Sequence, residues 1–255
     1  MALLELRNMT MRFGGLTAVS DFDVTFEGGE LAGLIGPNGA GKTTVFNVTS
    51  GFYKPTQGSV IFKGTDTRGL KPHKVTALGV ARTFQNIRLW NDLSVLDNIR
   101  IAQHYRLGYN LLDCFLRTKR YTRSEGRIDS IAWELLEQLE LKRWAGEKPN
   151  NLPYGLQRRV EIARALSVQP DLLLLDEPAA GLNSSDVDGL IKLIRWIHKE
   201  FKLTIWMIEH QMTVVMSLCE HIKVIDFGRS IAEGTPARIQ QNPAVIKAYL
   251  GDSEI

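Results

Sequence analysis

Hydrophobic residues between positions 21 and 27 alternate with polar ones. Phe22, Val24 and Phe26 are separated by Asp23 and Thr25. A period of two is typical of an antiparallel strand with one buried face. This part of the chain therefore predicts a half-buried antiparallel strand, closed by a turn at Gly28 and Gly29.

Three short apolar runs show no alternation, which favours strands covered on both faces. The runs are Leu31–Ile35, Leu172–Leu175 and Leu203–Ile208. Between the last two, residues 187–197 have the spacing of an amphipathic helix, and residues 222–231 predict a hairpin that turns near Gly228. Strands that alternate with helices predict an α/β fold with a mostly parallel core sheet.

The middle of the chain, from about residue 95 to 165, lacks strand alternation. Its apolar residues recur at helical spacing, as in Ile128, Ile131, Ala132, Leu135, Leu136 and Leu139. We interpret this segment as an α-helical subdomain inserted into a single domain that spans residues 1–255.

Composition excludes several classes of protein. The chain has 255 residues, of which 44% are hydrophobic and 23% charged, as in globular proteins. A net charge of +3 gives no reason to expect nucleic acid. Two cysteines cannot build a disulfide framework. Because no apolar run has the roughly 18 residues that a membrane span needs, we expect a soluble protein that can still bind membrane subunits.

A glycine-rich loop follows the first apolar run and precedes a helix-like stretch. Gly36, Gly41, Lys42 and Thr43 fit the pattern GxxxxGK[ST]. Glycines let backbone N–H groups approach phosphates, and the following helix adds its dipole. We expect Lys42 to reach the β- and γ-phosphates of a nucleotide and the Thr43 hydroxyl to ligate Mg²⁺.

Two acids follow the second apolar run. Asp176 and Glu177 stand where a buried strand ends, which is the edge of a parallel sheet where ligands bind. Asp176 is expected to hold Mg²⁺, and Glu177 to accept a proton from an attacking water. The alternative is that both acids cap the strand or the following turn.

The segment from Asn151 to Leu166 resembles the signature segment of ABC-type ATPases. Further elements follow in the order of that family: Phe13 before the phosphate loop, Gln85 in ArgThrPheGln, AlaGlyLeuAsn183 after the acids, and Glu209-His210 after a strand. The resemblance covers nearly the whole chain. It implies the fold of a P-loop NTPase of the ABC type, with an antiparallel β subdomain and an inserted α-helical subdomain.

The resemblance also implies a role for each matching residue. Phe13 is expected to stack on adenine, Gln85 to sense Mg²⁺ and the water, and His210 to contact the γ-phosphate of ATP. The residues expected to bind nucleotide are Phe13, Gly36, Pro37, Asn38, Gly39, Ala40, Gly41, Lys42, Thr43, Thr44 and, from the signature, Leu152, Tyr154 and Gly155. Simpler alternatives are that Phe13 packs in the core, that Gln85 is an ordinary amide at the end of a strand, and that His210 is a buried histidine whose hydrogen bonds are all made within the protein.

Four segments are similar to the ATPase subunits of branched-chain amino-acid importers. They are residues 51–56, 82–89, 176–183 and 242–251. The similarity implies an ATP-hydrolysing subunit on the cytoplasmic face of the membrane, with a second ABC ATPase (the same or another chain), two membrane permeases and a substrate-binding protein as partners. Alternatives are another importer, for example for urea, a non-transport ABC ATPase, and a scaffold with inactive sites.

The signature departs from the family pattern. Pro153 stands in place of its serine and Tyr154 in place of its first glycine, so a hydroxyl donor and one N–H are missing. Ser184 follows the AlaGlyLeuAsn segment instead of proline, and Gln211 follows the histidine where many relatives have Asp.

Two further features each have two interpretations. Ile87, Leu89 and Trp90 follow Gln85 and either contact a membrane subunit or belong to the chain's own core. Residues 100–127 carry seven Lys/Arg against two acids, either facing lipid head groups or simply solvated.

Overall fold

Within residues 2–250, the part of the chain that the computed structural model describes (for Leu250, the backbone only), ten strands form two sheets. The strands are β1 (Leu4–Phe13), β2 (Leu16–Phe26), β3 (Leu31–Ile35), β4 (Gln57–Phe62), β5 (Thr65–Asp66), β6 (Val80–Arg82), β7 (Leu172–Asp176), β8 (Thr204–Ile208), β9 (His221–Asp226) and β10 (Arg229–Gly234). Gly251, the last residue of the importer-like tail, lies outside the described residues.

The smaller sheet is antiparallel, with strand order β2-β1-β4-β5. The alternation that predicted a strand is confirmed, because Phe22, Val24 and Phe26 are buried while the residues between them are exposed. The strand is longer than predicted and begins at Leu16.

The larger sheet has the order β10-β9-β3-β8-β7-β6 and is parallel except for the hairpin of β9 and β10. Every residue of β3, β7 and β8 is buried, as the unbroken apolar runs predicted. The hairpin turns at Phe227 and Gly228, both with positive φ (42° and 77°). The predicted parallel core sheet is confirmed.

An aromatic cluster joins the two sheets. The indole ring of Trp206 on β8 lies 6.5 Å from the ring of Phe22, 5.1 Å from that of Phe26 and 5.0 Å from that of Phe46. All four side chains are fully buried, and burial of each stabilises the fold by about 1.5–3 kcal/mol. Phe46, four residues after Lys42, therefore packs the helix that follows the glycine-rich loop against the core.

Ten helices complete the described structure: α1 (Lys42–Thr49), α2 (Pro72–Leu78), α3 (Val95–Ile101), α4 (Leu111–Phe115), α5 (Lys119–Gln138), α6 (Tyr154–Leu166), α7 (Ser184–Phe201), α8 (Met212–Leu218), α9 (Pro236–Gln240) and α10 (Pro243–Leu250). Shorter 3₁₀ turns lie at Ala102–Arg106, Lys142–Trp144 and Pro149–Asn151. Across residues 2–250, none of these helices combines the length and the apolar character that crossing a bilayer demands.

The chain divides into two units, and both sheets belong to the first, which ends at Gln85 and resumes at Asp171. The second unit, Asn86–Pro170, contains α3 to α6. In that unit the predicted helical spacing falls on α5, whose buried side chains are Ile128, Ala132, Leu135 and Leu136.

Candidate nucleotide site

Three neighbouring parallel strands end at one edge of the larger sheet. Ile208, the last residue of β8, is paired with Leu34 on β3 and with Asp176 on β7. The residues that follow these strands therefore meet. They comprise the glycine-rich loop after β3, the second acid after β7 and the Glu209-His210 pair after β8. A sheet edge of this kind is where α/β proteins bind ligands.

The glycine-rich loop leads into the start of α1, where the first backbone N–H groups of a helix have no intrahelical partner. Gly41 is the N-cap residue with φ 105°, and no side chain caps the helix. A Cβ added to Gly41 would lie 2.6 Å from the Ala18 carbonyl oxygen, whereas one added to Gly39 would meet no atom within 4 Å. The first turn of a helix without a capping side chain is an anion site, so the loop can accept phosphate.

Lys42 is buried, and its ammonium group lies against its own loop. The Nζ atom donates to the carbonyl oxygens of Gly36 at 2.7 Å and Pro37 at 2.8 Å. Burial lowers the pKa of Lys42, while the charges of Glu177 and Asp176 oppose that shift. The cation is thus held between the loop and the two predicted acids.

Glu177 is the centre of the polar cluster at this edge. Its Oε1 atom lies 2.7 Å from His210 Nε2, and its Oε2 atom accepts a hydrogen bond of 2.8 Å from Gln85 Nε2. Its backbone N–H donates to the Ile208 carbonyl oxygen at 2.9 Å. With φ at 48°, the residue adopts the left-handed conformation that side chains disfavour. The structure thus brings the three predicted catalytic residues together.

Glu209 holds the turn that carries His210, a role that the sequence did not predict. Its buried carboxylate accepts hydrogen bonds from the backbone N–H groups of Ala179 (2.7 Å), His210 (3.0 Å) and Gln211 (3.2 Å). Burial raises the pKa of Glu209 against the effect of these bonds. The sequence indicated this role only through the position of Glu209, an acid directly after a mostly apolar strand. Since His210 itself is exposed, the alternative of a buried histidine is wrong.

Arg82 pairs with Asp176, a second contact that the sequence did not predict. Its Nη2 atom lies 2.6 Å from Asp176 Oδ2, and its Nη1 atom donates to Asn47 Oδ1 at 2.7 Å and Ser50 Oγ at 3.0 Å. The guanidinium also lies 5.0 Å from the ring centroid of Phe84. Both members of the pair are almost fully buried. The sequence indicated this contact only through the position of Arg82, a single cation at the end of a short apolar strand.

We expect Arg82→Met to lower the free energy of unfolding by about 3–5 kcal/mol, because it leaves the Asp176 carboxylate buried without its cation. Urea denaturation measures the change. The matched control is Arg68→Met, whose partner Asp66 is exposed, and which should cost no more than about 1 kcal/mol. Equal losses in the two variants would contradict the structural role of Arg82.

A cavity of about 450 Å³ opens at the sheet edge. It is lined by Leu16, Thr17, Ala18, Asn38, Gly39, Gly41, Lys42, Thr43, Thr44, Glu177, His210, Phe227 and Gly228. The predicted adenine-stacking residue, Phe13, is not among the lining residues. Phe13 is 41% exposed and its ring meets that of Tyr53 edge-on at 5.2 Å. Core packing of Phe13 is therefore excluded, and Tyr53 is an aromatic neighbour that the sequence did not predict.

The residues at this edge fit the nucleotide and the metal ion that the sequence predicted. The bare N-terminus of α1 and the Lys42 ammonium are suited to a phosphate chain. The exposed hydroxyl of Thr43, the Asp176 carboxylate and the Gln85 amide are oxygen donors of the kind Mg²⁺ prefers.

In the second unit, the signature segment leads into α6. Pro153 occupies the N-cap position without a side-chain hydrogen bond, and α6 begins at Tyr154. Tyr154 is exposed, and its hydroxyl accepts a 3.3 Å hydrogen bond from Arg158. Leu152 is buried. The segment therefore offers backbone N–H groups near Gly155, and no hydroxyl stands at the N-cap.

Comparison with known proteins places these features in a family. The sequence model of the family "ABC transporter" matches residues 19–180, and that of "Branched-chain amino acid ATP-binding cassette transporter" matches residues 229–255. The high-affinity branched-chain amino acid transport ATP-binding protein BraF of Pseudomonas aeruginosa is 45% identical over 98% of each chain.

Solved structures show the same fold. The ADP conformation of an ATP-binding cassette of an ABC transporter has a TM-score of 0.85 and 28% identity, covering 99% of this chain and 100% of its own. A dimeric, post-hydrolysis ATP-binding cassette bound to ADP and Pi has a TM-score of 0.75 and 26% identity, covering 91% of this chain and 98% of its own.

Proposed function

The chain belongs to the ABC transporter family of ATP-binding proteins, and from that premise we propose that it is the ATP-hydrolysing subunit of an importer for branched-chain amino acids. One observation carries the chemistry, namely that Glu177 is held by His210 and Gln85 beside the phosphate loop. The substrate rests on the match of residues 229–255 and on the name of the 45% identical relative.

We propose that ATP binds along the loop from Gly36 to Thr44, with adenine beside Phe13. The backbone N–H groups of the loop and the Lys42 ammonium would hold the phosphates, since charge-assisted hydrogen bonds are the strong ones. Thr43, Asp176 and Gln85 would hold Mg²⁺, which when bound supplies positive charge to the phosphate oxygens.

In this mechanism Glu177 is the general base. One water oxygen bonds to the γ-phosphorus, the bond from that phosphorus to the β–γ bridging oxygen breaks, and ADP and phosphate leave. Glu177 takes the proton that the water loses. Gln85 and His210 each contact one oxygen of Glu177, so they fix the carboxylate in position. His210 is also expected to contact the γ-phosphate.

The site is expected to be completed by a second ABC ATPase. Within one chain the loop and the signature belong to different units, and a related cassette is dimeric with ADP and Pi. We propose a head-to-tail dimer in which Leu152, Tyr154 and Gly155 of one chain close the nucleotide site of the other.

Loss of the signature serine should make the two sites of a heterodimer unequal. The site closed by Pro153 lacks one hydroxyl donor, and a hydrogen bond to a charged group contributes about 1.5–3 kcal/mol. The N-terminus of α6 still favours phosphate there, so hydrolysis is expected to be weaker and not absent.

The asymmetry is measured as the ATPase rate of the whole complex. With a partner ATPase that keeps the signature serine, Glu177 would work with that complete signature, so Glu177→Gln in this chain should reduce the rate more than the equivalent change in the partner. A larger loss from the partner's change would show that the reasoning about Pro153 is wrong.

We propose that the cluster of Ile87, Leu89 and Trp90 contacts a permease. The backbone of Trp90 is fixed by buried Asn98, whose side chain accepts from the Trp90 N–H at 2.8 Å and donates to its carbonyl at 3.0 Å. The Trp90 side chain is nevertheless 60% exposed. The contact would hold the chain at the cytoplasmic face of the membrane, next to two permeases that link it indirectly to a periplasmic or extracellular substrate-binding protein.

We expect Trp90→Ala to reduce copurification with the permeases or to uncouple transport from hydrolysis, because the exposed ring is lost while its backbone anchor remains. ATP binding by the isolated chain should not change. Trp133→Ala, which removes another exposed indole of the same unit, is the matched control. Misfolding of the Trp90 variant, or undiminished permease binding and coupling, would contradict the proposal.

A further inference from the structure

The short helix α4 in the second unit has no buried side chain. Four large apolar residues on it and directly after it, Leu111, Leu112, Phe115 and Leu116, are 66–85% exposed. Contiguous exposed apolar surface on a folded protein marks an interaction site.

This surface belongs to an ordered helix. Asn110 and Asp113 form a reciprocal capping box, in which the Asp113 N–H donates to Asn110 Oδ1 at 2.9 Å and the Asn110 N–H to Asp113 Oδ2 at 3.1 Å. Thr118, the N-cap of α5, donates to Asp113 Oδ1 at 2.8 Å. These polar contacts fix the start of α4 and its junction with α5, while the apolar side chains of α4 remain exposed to solvent.

A cluster of cations flanks α4 in the chain. A cavity of about 580 Å³ in the second unit is lined by fourteen residues, including Arg106, Lys119, Arg120, Arg123 and Arg127, and none of the lining residues is acidic. No salt bridge pairs these five cations with an acid within residues 2–250.

The two acids of the segment are occupied elsewhere. Glu125 accepts a hydrogen bond of 2.7 Å from the Tyr109 hydroxyl, and Asp113 forms the capping box of α4 with Asn110. On a helix with 3.6 residues per turn, Lys119, Arg123 and Arg127 lie on one stripe and Glu125 lies on the opposite side. A stripe of positive charge therefore runs along one face of α5.

From these two features we propose that the α4–α5 face, comprising the four exposed apolar residues and the five cavity-lining cations, binds directly to the surface of an anionic phospholipid bilayer. Leu111, Leu112, Phe115 and Leu116 would enter the boundary between head groups and acyl chains, and the cations would contact phosphates. Apolar side chains that project from a helix suit insertion into a fluid layer, and unpaired Lys and Arg match an anionic surface without demanding a fixed geometry. The inference goes beyond ATP hydrolysis and does not depend on it.

Flotation of the full chain with vesicles tests this binding. The chain should bind vesicles of phosphatidylglycerol and phosphatidylcholine, bind at least tenfold more weakly to phosphatidylcholine alone, and dissociate in high salt. Inorganic phosphate at millimolar concentration should not displace it. A chain without preference for the anionic vesicles, or one fully displaced by phosphate, would overturn the proposal.

Two double variants separate the parts of the face. Each Lys or Arg near an anionic membrane contributes roughly fivefold in affinity, so Arg120→Glu with Arg123→Glu should weaken vesicle binding by on the order of 20-fold or more. Phe115→Ser with Leu116→Ser should also weaken binding, by on the order of tenfold. Matched controls are Lys199→Glu and Trp133→Ser, both at exposed positions that are not among the residues of the face.

All variants should keep the unfolding midpoint and ATP affinity of the wild type, which confirms that they fold. Wild-type vesicle binding by either double variant would overturn the proposal. So would a loss of permease copurification with vesicle binding unchanged, because the face would then recognise a protein.

Discussion

Glu177→Gln is expected to slow ATP hydrolysis by roughly 10²–10⁴-fold, because the amide keeps the shape of the side chain but cannot accept a proton from water. ATP binding should be retained, since glutamine keeps the size of the side chain and can still bond to His210 and Gln85. The rate is measured in the assembled transporter, and the affinity is measured by calorimetry on the isolated chain.

The matched control is Glu220→Gln, an exposed acid that follows α8. It should hydrolyse ATP at the wild-type rate. Wild-type hydrolysis by the Glu177 variant would show that another group is the base. A loss of ATP binding in that variant would show instead that Glu177 has a structural role.

Lys42→Ala is expected to weaken ATP binding by roughly 10- to 150-fold, the equivalent of about 1.5–3 kcal/mol for one hydrogen bond to a charged group. Turnover should be abolished, because the same ammonium is expected to hold the γ-phosphate during the reaction. The buried side chain reaches back to Gly36 and Pro37, so a small structural change of the loop adds to the loss.

Calorimetric titration with ATP measures the effect, and Lys199→Ala, at an exposed site on α7, serves as the control. An unchanged ATP affinity in Lys42→Ala would contradict the assignment of the phosphate loop. Unfolding curves of both variants distinguish lost binding from a lost fold.

The parts of the site that depend on short stretches of sequence were predictable. The run Leu31–Ile35, the glycine loop and the start of α1 are consecutive, so their strand, turn and helix preferences determine the local structure. The alternation that ends at Phe26 and the helical spacing around Leu135 fixed their elements for the same reason.

The parts that depend on distant residues were not predictable. Arg82 pairs with Asp176, which lies 94 positions later in the chain, and no residue near Arg82 in the sequence indicates this partner. The order in which β8 lies between β3 and β7 also results from pairing between remote segments. The exposure of Phe115 emerged only from the structure, because an apolar residue with helical neighbours is otherwise expected to be buried.

Leucine uptake by the reconstituted transporter tests the central claim most directly. Proteoliposomes would contain the permeases, this chain and its partner ATPase, with ATP on the side of the ATPases and leucine-loaded binding protein on the other. The account predicts ATP-dependent accumulation of leucine and not of urea, and its loss when the complex carries Glu177→Gln. Leucine uptake at the wild-type rate by the Glu177→Gln complex, or ATP-dependent uptake of urea in place of leucine, would contradict it.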